Sequence, residues 1–291
     1  MFNGFTAEPV RTNSIMVNVC RGGTGPPVLL LHGYPQTHVM WHRVAPALAE
    51  RFTVICPDLR GYGDSDKPAG GPDHEGYSKR VMARDQVAVM AAFGFRRFAV
   101  AGHDRGARVA LRMALDHPEA VSRLAVLDIV PTKTVYQTVD KQHATTVWRY
   151  FFLTQPATLP EHLIGTDPEY YLRYTLDEWC HTPGALAPEA VAEYARCFTL
   201  AAIHASCEDY RAGAGIDLVH DQADIGRPLS CPVLALWSKT GIGRAYDVER
   251  TWAERAPDLR GRALDCGHFL AEERPAETAA ELLAFLTEDR T

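Results

Sequence analysis

The chain has 291 residues, enough for one elaborate domain or for a domain carrying an insertion. Apolar residues make up 46% and charged residues 23%, the composition of an ordinary globular protein, and no stretch approaches the ~18 consecutive apolar residues of a membrane span. A net charge of −6 argues against nucleic acid as a partner, and it means that an anionic substrate would have to be held by locally placed arginines.

In chain order, Ser14–Cys20 reads as an antiparallel edge strand, with Ile15, Val17 and Val19 on one face and Met16, Asn18 and Cys20 on the other. Val28–His32 is a continuous apolar run, as in a strand buried on both faces, and it ends in the turn His32-Gly33-Tyr34-Pro35. Trp41–Arg51 reads as an amphipathic helix, Phe52–Cys56 as a second buried strand and Ser78–Ala92 as a helix. The strand Phe98–Ala101 runs into Gly102-His103-Asp104-Arg105-Gly106, and a helical pattern follows over Ala107–Leu115. The strand Leu124–Leu127 delivers Asp128 at its end. Strands alternating with helices predict a parallel, doubly wound sheet with right-handed crossovers.

The rhythm breaks after Pro131. From Thr132 to about Asp224 the pattern is helical and rich in aromatics, which predicts a cap (132–224) inserted into a core formed by 1–131 and 225–291. Pro232–Trp237 resumes the sheet, Arg262–Leu264 is a weaker last strand, and Cys266-Gly267-His268-Phe269 follows in a loop. Pro275–Leu286 closes the chain as a helix with Glu277 and Glu281 on its solvated face. The cysteines at 20, 56, 180, 197, 207, 231 and 266 form no CxxC pair and are odd in number. They read as reduced thiols of a cytoplasmic protein, with no metal site. The N-terminus, Met1-Phe2-Asn3-Gly4-Phe5, has no basic leader pattern.

Strand, Gly-x-Asp-x-Gly turn and helix is the layout of a nucleophile elbow, whose crowded turn excludes a Cβ on either side. The central residue is Asp104, not serine, which argues against a serine esterase. A carboxylate there suits attack on a saturated carbon, giving an ester with the enzyme. Asp104, Asp128 and His268 follow in the order nucleophile, acid, base, each at or just past a strand's carboxyl end, where open parallel sheets form ligand crevices. His268 is suited to deprotonate a water, and Asp128 to fix the imidazole tautomer. The backbone N–H groups of Arg105 and Tyr34 can hold the oxyanion. The His32–Tyr34 turn therefore joins the substrate-binding set, although His32 and His103 are read as shaping turns and not as reacting. His38, His42 and His74 are read as surface residues.

These pieces carry a resemblance. The chain looks like an α/β-hydrolase and is similar to the fluoroacetate dehalogenases over nearly its whole length. The matching stretches are His32–Pro35, Asp58–Ser65, Gly102–Arg108, Leu127–Thr132, Cys207–Gly213 and Gly267–Leu270. The resemblance implies a mostly parallel eight-stranded sheet flanked by helices, a helical cap and no cofactor. It also implies that Arg105 and Arg108 grip a substrate carboxylate. Such proteins commonly dimerise, so a homodimer fits.

One departure bears on function. Fluoroacetate dehalogenases place a His-Trp pair at the start of the cap and a later Tyr to hold the leaving fluoride. Here the aligned pair is Arg149-Tyr150, while Tyr210 remains. Two tyrosines at these positions resemble the epoxide hydrolases of the same fold, in which phenols bind the epoxide oxygen and protonate the alkoxide. Halide leaves as an anion and needs only donors, whereas an opened epoxide needs a proton. Arg149 either pairs with Glu208 or Asp209 or takes a second substrate carboxylate, which would suit a substrate such as epoxysuccinate. The reading is a cofactor-independent epoxide hydrolase for a small carboxylate-bearing substrate. The alternative is a haloacid dehalogenase using the same triad. The intact triad argues against a third possibility, a receptor without enzymatic activity.

Overall fold

The computed structural model describes residues 1–12 and 14–288. Its strands are β1 (Phe5–Arg11), β2 (Met16–Gly22), β3 (Pro27–Leu31), β4 (Thr53–Pro57), β5 (Phe98–His103), β6 (Val121–Leu127), β7 (Val233–Ser238) and β8 (Leu259–Leu264). They form one eight-stranded sheet in the order β1-β2-β4-β3-β5-β6-β7-β8. The β1–β2 and β2–β4 pairs are antiparallel and the remaining pairs parallel. This is the alpha/beta hydrolase fold. Val28 to Leu31 are fully buried, as their unbroken apolar run requires of a strand covered on both faces.

Helices follow in the order α1 (Ala45–Ala49), α2 (Lys79–Ala92), α3 (Arg105–Asp116), then α4 (Thr132–Gln137), α5 (Lys141–Thr146), α6 (Trp148–Leu153) and α7 (Leu159–Thr166). Next come α8 (Pro168–Trp179), α9 (Pro188–Cys197), α10 (Leu200–Ala214), α11 (Ile216–Ala223), α12 (Ile242–Ala245), α13 (Val248–Ala253), α14 (Leu270–Glu273) and α15 (Pro275–Thr287). Helices α4 to α11 all lie between β6 and β7. Among them α10 is the most deeply set: nearly every residue from Ala202 to Gly213 is buried, with the Thr199 hydroxyl capping its first turn.

Two sequence expectations are corrected. The strand beginning near Ser14 is not the edge, because β1 lies outside it. β1 carries no alternating apolar signal, only Val10 being buried, and its Pro9 is tolerated because an outermost strand need not donate on its free side. The helix expected over Trp41–Arg51 is instead a 3₁₀ turn, His38–Trp41, and the short α1, which starts afresh around Pro46. Proline has no N–H with which to continue a preceding helix.

The sheet register positions the site. Leu31 lies beside Gly102, His103 beside Leu127, and Leu127 beside Leu236. The carboxyl ends of β3, β5, β6 and β7 are therefore level. The residues that follow them, from Gly33, Asp104, Asp128 and Ser238 onward, emerge along one edge of the sheet. No helix among the described residues is long and apolar enough to cross a membrane.

Candidate active site

Asp104 sits between β5 and α3 with φ 46° and ψ −116°, a conformation that costs a non-glycine residue about 1–3 kcal/mol. The turn is held by the Asp104 N–H, which donates to the Leu127 carbonyl at 3.1 Å. A Cβ at Gly106 would stand 2.4 Å from the His32 carbonyl oxygen, so only glycine lets α3 pack this closely on the end of β3. The Tyr34 N–H donates to Asp104 Oδ2 at 3.0 Å. Burial pushes the Asp104 carboxyl up, but His268, Arg105, His103 and Arg108 outweigh it, and its pKa lies below the ordinary range.

Asp128 Oδ1 accepts from the Ser238 N–H and hydroxyl, both at 2.7 Å, and Oδ2 lies 2.6 Å from His268 Nδ1. With its acceptors so occupied, Asp128 places the imidazole proton on Nδ1. His268 Nε2 is buried without a partner and free to take a proton. Burial favours the neutral imidazole, yet the hydrogen bond and charge of Asp128, with Asp104 and Glu273, raise the His268 pKa above its ordinary value. His103 lies 4.4 Å from His268 ring to ring and donates from Nε2 to the His268 carbonyl at 2.8 Å. Burial, with His268 beside it, holds His103 down to about 4, so it is neutral scaffolding.

His32 is corrected as a substrate-binding candidate. Its Nε2 accepts from the Leu59 N–H at 2.9 Å, so its Nδ1 donates to the Gly33 carbonyl at 3.0 Å. Both nitrogens are engaged in holding two loops, and burial keeps the ring neutral. His38 and His42 are half-buried. His38 is largely covered and pairs with Asp58 at 2.8 Å, and the His42 ring bonds the Val39 carbonyl at 2.9 Å. His74, more exposed, pairs with Glu208 at 2.7 Å.

The arginines divide their roles. Arg105 gives Nε and Nη2 to Asp209 at 2.9 and 2.7 Å, so the shared grip expected of Arg105 and Arg108 is half taken. Asp209 also binds Lys79 and the Tyr62 hydroxyl. Arg108 reaches the Val130 carbonyl (3.1 Å), the Thr132 hydroxyl (2.8 Å) and the Tyr150 hydroxyl (2.8 Å). Its Nε has no partner, and it forms no ion pair among the described residues although only 4% exposed. Arg149 pairs with Glu178 and with the Thr175 hydroxyl, not with Glu208 or Asp209, the protein partners weighed for it in the sequence. Glu208 is instead bound by Arg211. The Arg149 guanidinium is boxed by Trp148, Tyr171, Tyr174 and Trp179, and its Nη2 is buried without a partner.

Tyr150 and Tyr210 meet edge to face, 5.3 Å apart. The Tyr210 ring also lies 4.2 Å below the Arg105 guanidinium, and its hydroxyl is buried without a partner. Burial, then the charge of Asp104, raises its pKa well above that of a free phenol. Three neighbours were not singled out in the sequence. Ser238 ends β7 as Asp128 follows β6, and that parallel could have found it. Trp179 lies 4.9 Å from the His268 ring, brought there from the end of α8 with no sequence signal. Glu273 holds the His268 loop. Among the described residues one cluster of metal-type donors occurs, Asp64, Glu193 and Cys197, and its two carboxylates are bound by Arg196.

The family described as alpha/beta hydrolase fold matches residues 26–275. A fluoroacetate dehalogenase from Burkholderia sp is 45% identical, covering 100% of this chain and 97% of that protein. A soluble epoxide hydrolase from Corynebacterium sp. (strain C12) is 34% identical over 94% of this chain and 95% of its own length. The solved structure of ALR0039 from Nostoc sp PCC 7120 superposes with a TM-score of 0.98 at 57% identity, covering 99% of this chain and 100% of that one.

Proposed function

This chain belongs to the alpha/beta hydrolase fold family and is a hydrolase related to both fluoroacetate dehalogenase and epoxide hydrolase, and we propose that it opens a small carboxylate-bearing epoxide to a diol. The observation that carries this reading is a packed pair of phenols, of which Tyr210 lies close enough to Asp104 for that carboxylate to raise its pKa. One, Tyr150, is held by Arg108, and the other, Tyr210, has a buried hydroxyl with no partner.

Because the Tyr34 N–H holds Oδ2, the other oxygen of Asp104 attacks the ring carbon as the C–O bond breaks. The Tyr210 hydroxyl gives its proton to the departing alkoxide while Tyr150 donates a hydrogen bond, and the resulting phenolate sits beside Arg105. His268 Nε2 then takes a proton from water, and the hydroxide attacks the Asp104 ester carbonyl. The Tyr34 and Arg105 N–H groups hold the oxyanion. The imidazolium, stabilised by Asp128, supplies the proton that releases the diol, and Tyr210 is reprotonated from solvent.

Arg108 supports an anionic substrate, since a buried guanidinium without a carboxylate partner is costly until an anion arrives. Arg149 is already paired with Glu178, so a second carboxylate, as in epoxysuccinate, would have to compete for its free Nη2. The helices of 132–224 act as the cap over this site. The cysteines are free, which fits a cytoplasmic enzyme.

The test is turnover of epoxysuccinate and glycidate against fluoroacetate, chloroacetate and styrene oxide. Diol formation from an epoxy acid supports the reading, and fluoride release with no diol overturns it. That second outcome would favour haloacetate dehalogenation, the reading supported by the 45% identity to fluoroacetate dehalogenase. In either case one turnover in ¹⁸O-water must label Asp104.

A further inference from the structure

The loop that carries His268 is held by a carboxylate that the reaction steps above do not use. Glu273, at the end of α14, is buried. Its Oε2 accepts from the Gly267 N–H at 2.9 Å and its Oε1 from the Phe269 N–H at 3.0 Å, the amides on either side of His268. Its Oε2 also accepts from the His181 N–H at 3.0 Å, just past α8. The amide of His268 itself donates to the Trp179 carbonyl at 2.9 Å. All three backbone amides of the 267–269 segment are thus fixed, and the same atoms tie that segment to the helical insertion. The two segments touch backbone to backbone, since a Cβ at Gly267 would stand 2.3 Å from the Trp179 carbonyl oxygen.

A buried carboxylate is tolerated where donors surround it, and here all the donors are main-chain amides of the base loop and of the segment docked on it. We propose that Glu273 is a positioning residue for hydrolysis of the enzyme ester. It sets His268 Nε2 against the ester at Asp104, and through His181 it makes that setting depend on the insertion being docked. The proposal rests on the Asp104–His268 reading. Asp104 attacks without help from a base, whereas ester hydrolysis needs His268 within hydrogen-bond reach of a water. A misplacement of about 1 Å can cost on the order of 10²-fold.

The glutamine variant keeps one acceptor oxygen but turns an amide toward the remaining N–H groups. Glu273→Gln should therefore form the ester at a rate within twofold of the unaltered enzyme and hydrolyse it roughly 10- to 100-fold more slowly. Rapid-quench single turnovers read by intact mass separate the two steps, with epoxysuccinate or chloroacetate as the probe, whichever is turned over. His268→Gln is the control that traps the ester. Ester accumulation in Glu273→Gln supports the proposal. Ester hydrolysis at an unchanged rate, or equal slowing of both steps, overturns it. If His268→Gln holds no ester with either probe, the underlying reading fails first and takes this one with it. Should Glu273→Gln not fold, Glu273→Asp, with its charge kept and its reach shortened, carries the same comparison.

Discussion

Tyr210→Phe separates stability from chemistry. The Tyr210 hydroxyl is buried and makes no hydrogen bond, and an unsatisfied buried hydroxyl costs about 1–3 kcal/mol. Its removal leaves the ring in place under Arg105 and against Tyr150, so folding stability should hold or rise by up to about 1 kcal/mol, a few degrees in Tm for a chain of this size. The same atom is the proposed proton donor to the opening ring, and losing a positioned acid costs roughly 10²- to 10⁴-fold in rate. A leaving halide would lose one donor to an anion, about 1.5–3 kcal/mol or roughly 10- to 150-fold. Tyr150→Phe is the contrast, because its hydroxyl accepts from Arg108 at 2.8 Å and its loss leaves a buried guanidinium nitrogen unpaired. That variant should lose about 1–2 kcal/mol of stability as well as activity. Thermal melts and initial rates on an epoxy acid and on fluoroacetate read both quantities. Tyr210→Phe retaining more than a third of epoxide turnover would refute the assignment of the acid. A fall of several degrees in Tm would refute the claim that the hydroxyl has no structural partner.

Asp209→Asn should strand the buried Arg105 charge and leave Lys79 only Asp217, at 3.5 Å, costing about 3–5 kcal/mol in a denaturant titration, and a loss below 1 kcal/mol would show that Arg105 finds another partner. Because His268 must be neutral to act as base, and its pKa is raised by Asp128, Asp104 and Glu273 against burial, ester hydrolysis should rise with pH through a limb above about 6.5. A limb at or below 6 in the pH profile of kcat would contradict this. Glu272 is raised to about 8 by burial, beside Tyr194 and Gln36, from an ordinary 4.5. Between these values the folded state binds the extra proton, so its contribution is complete below pH 4.5 and is lost as pH rises to about 8, on the order of 5 kcal/mol at most. Tm should therefore fall from pH 5 to pH 9, and Glu272→Gln should flatten that fall, whereas an identical slope in the variant would exclude Glu272 as its source.

The parts of this molecule legible in the sequence are those whose cause is local. Val28–Leu31 reads as a strand covered on both faces, and the glycines around Asp104 fit a crowded turn at a strand's end. Once those strands are parallel and level, Asp104 and Asp128 must emerge on one edge. β1 was not legible, because Thr6, Ala7, Pro9 and Arg11 are exposed and the strand pairs with β2 on one side only. Glu273 was within reach, since the Phe269 N–H it accepts lies four residues upstream, the spacing of one helical turn, but nothing local said that His181 of the helical insertion would bind the same carboxylate through its other oxygen.

Charge pairing was the least legible property, and the reason is physical. A residue's type fixes its charge, but its partner is set by which helices pack together. Arg149 has Asp209 and Glu208 in a motif stretch of the same insertion, yet α6 packs it against α8, where Glu178 and three aromatic rings, with Trp148 of its own helix, surround it. Asp209 is drawn to Arg105 because α10 runs along the mouth of the elbow. That placement removes half of the anion-binding capacity which the Asp-Arg-x-x-Arg spacing suggests. Arg108, by contrast, is surrounded by neutral oxygens from Val130, Thr132 and Tyr150. In the proposed reading, the cation left to recognise a substrate is therefore the one that forms no ion pair among the described residues, and it is also the one that binds the Tyr150 hydroxyl. On the proposed mechanism, carboxylate recognition and activation of the leaving oxygen meet in a single guanidinium, so a neutral epoxide such as styrene oxide should be turned over at least tenfold more slowly than an epoxy acid.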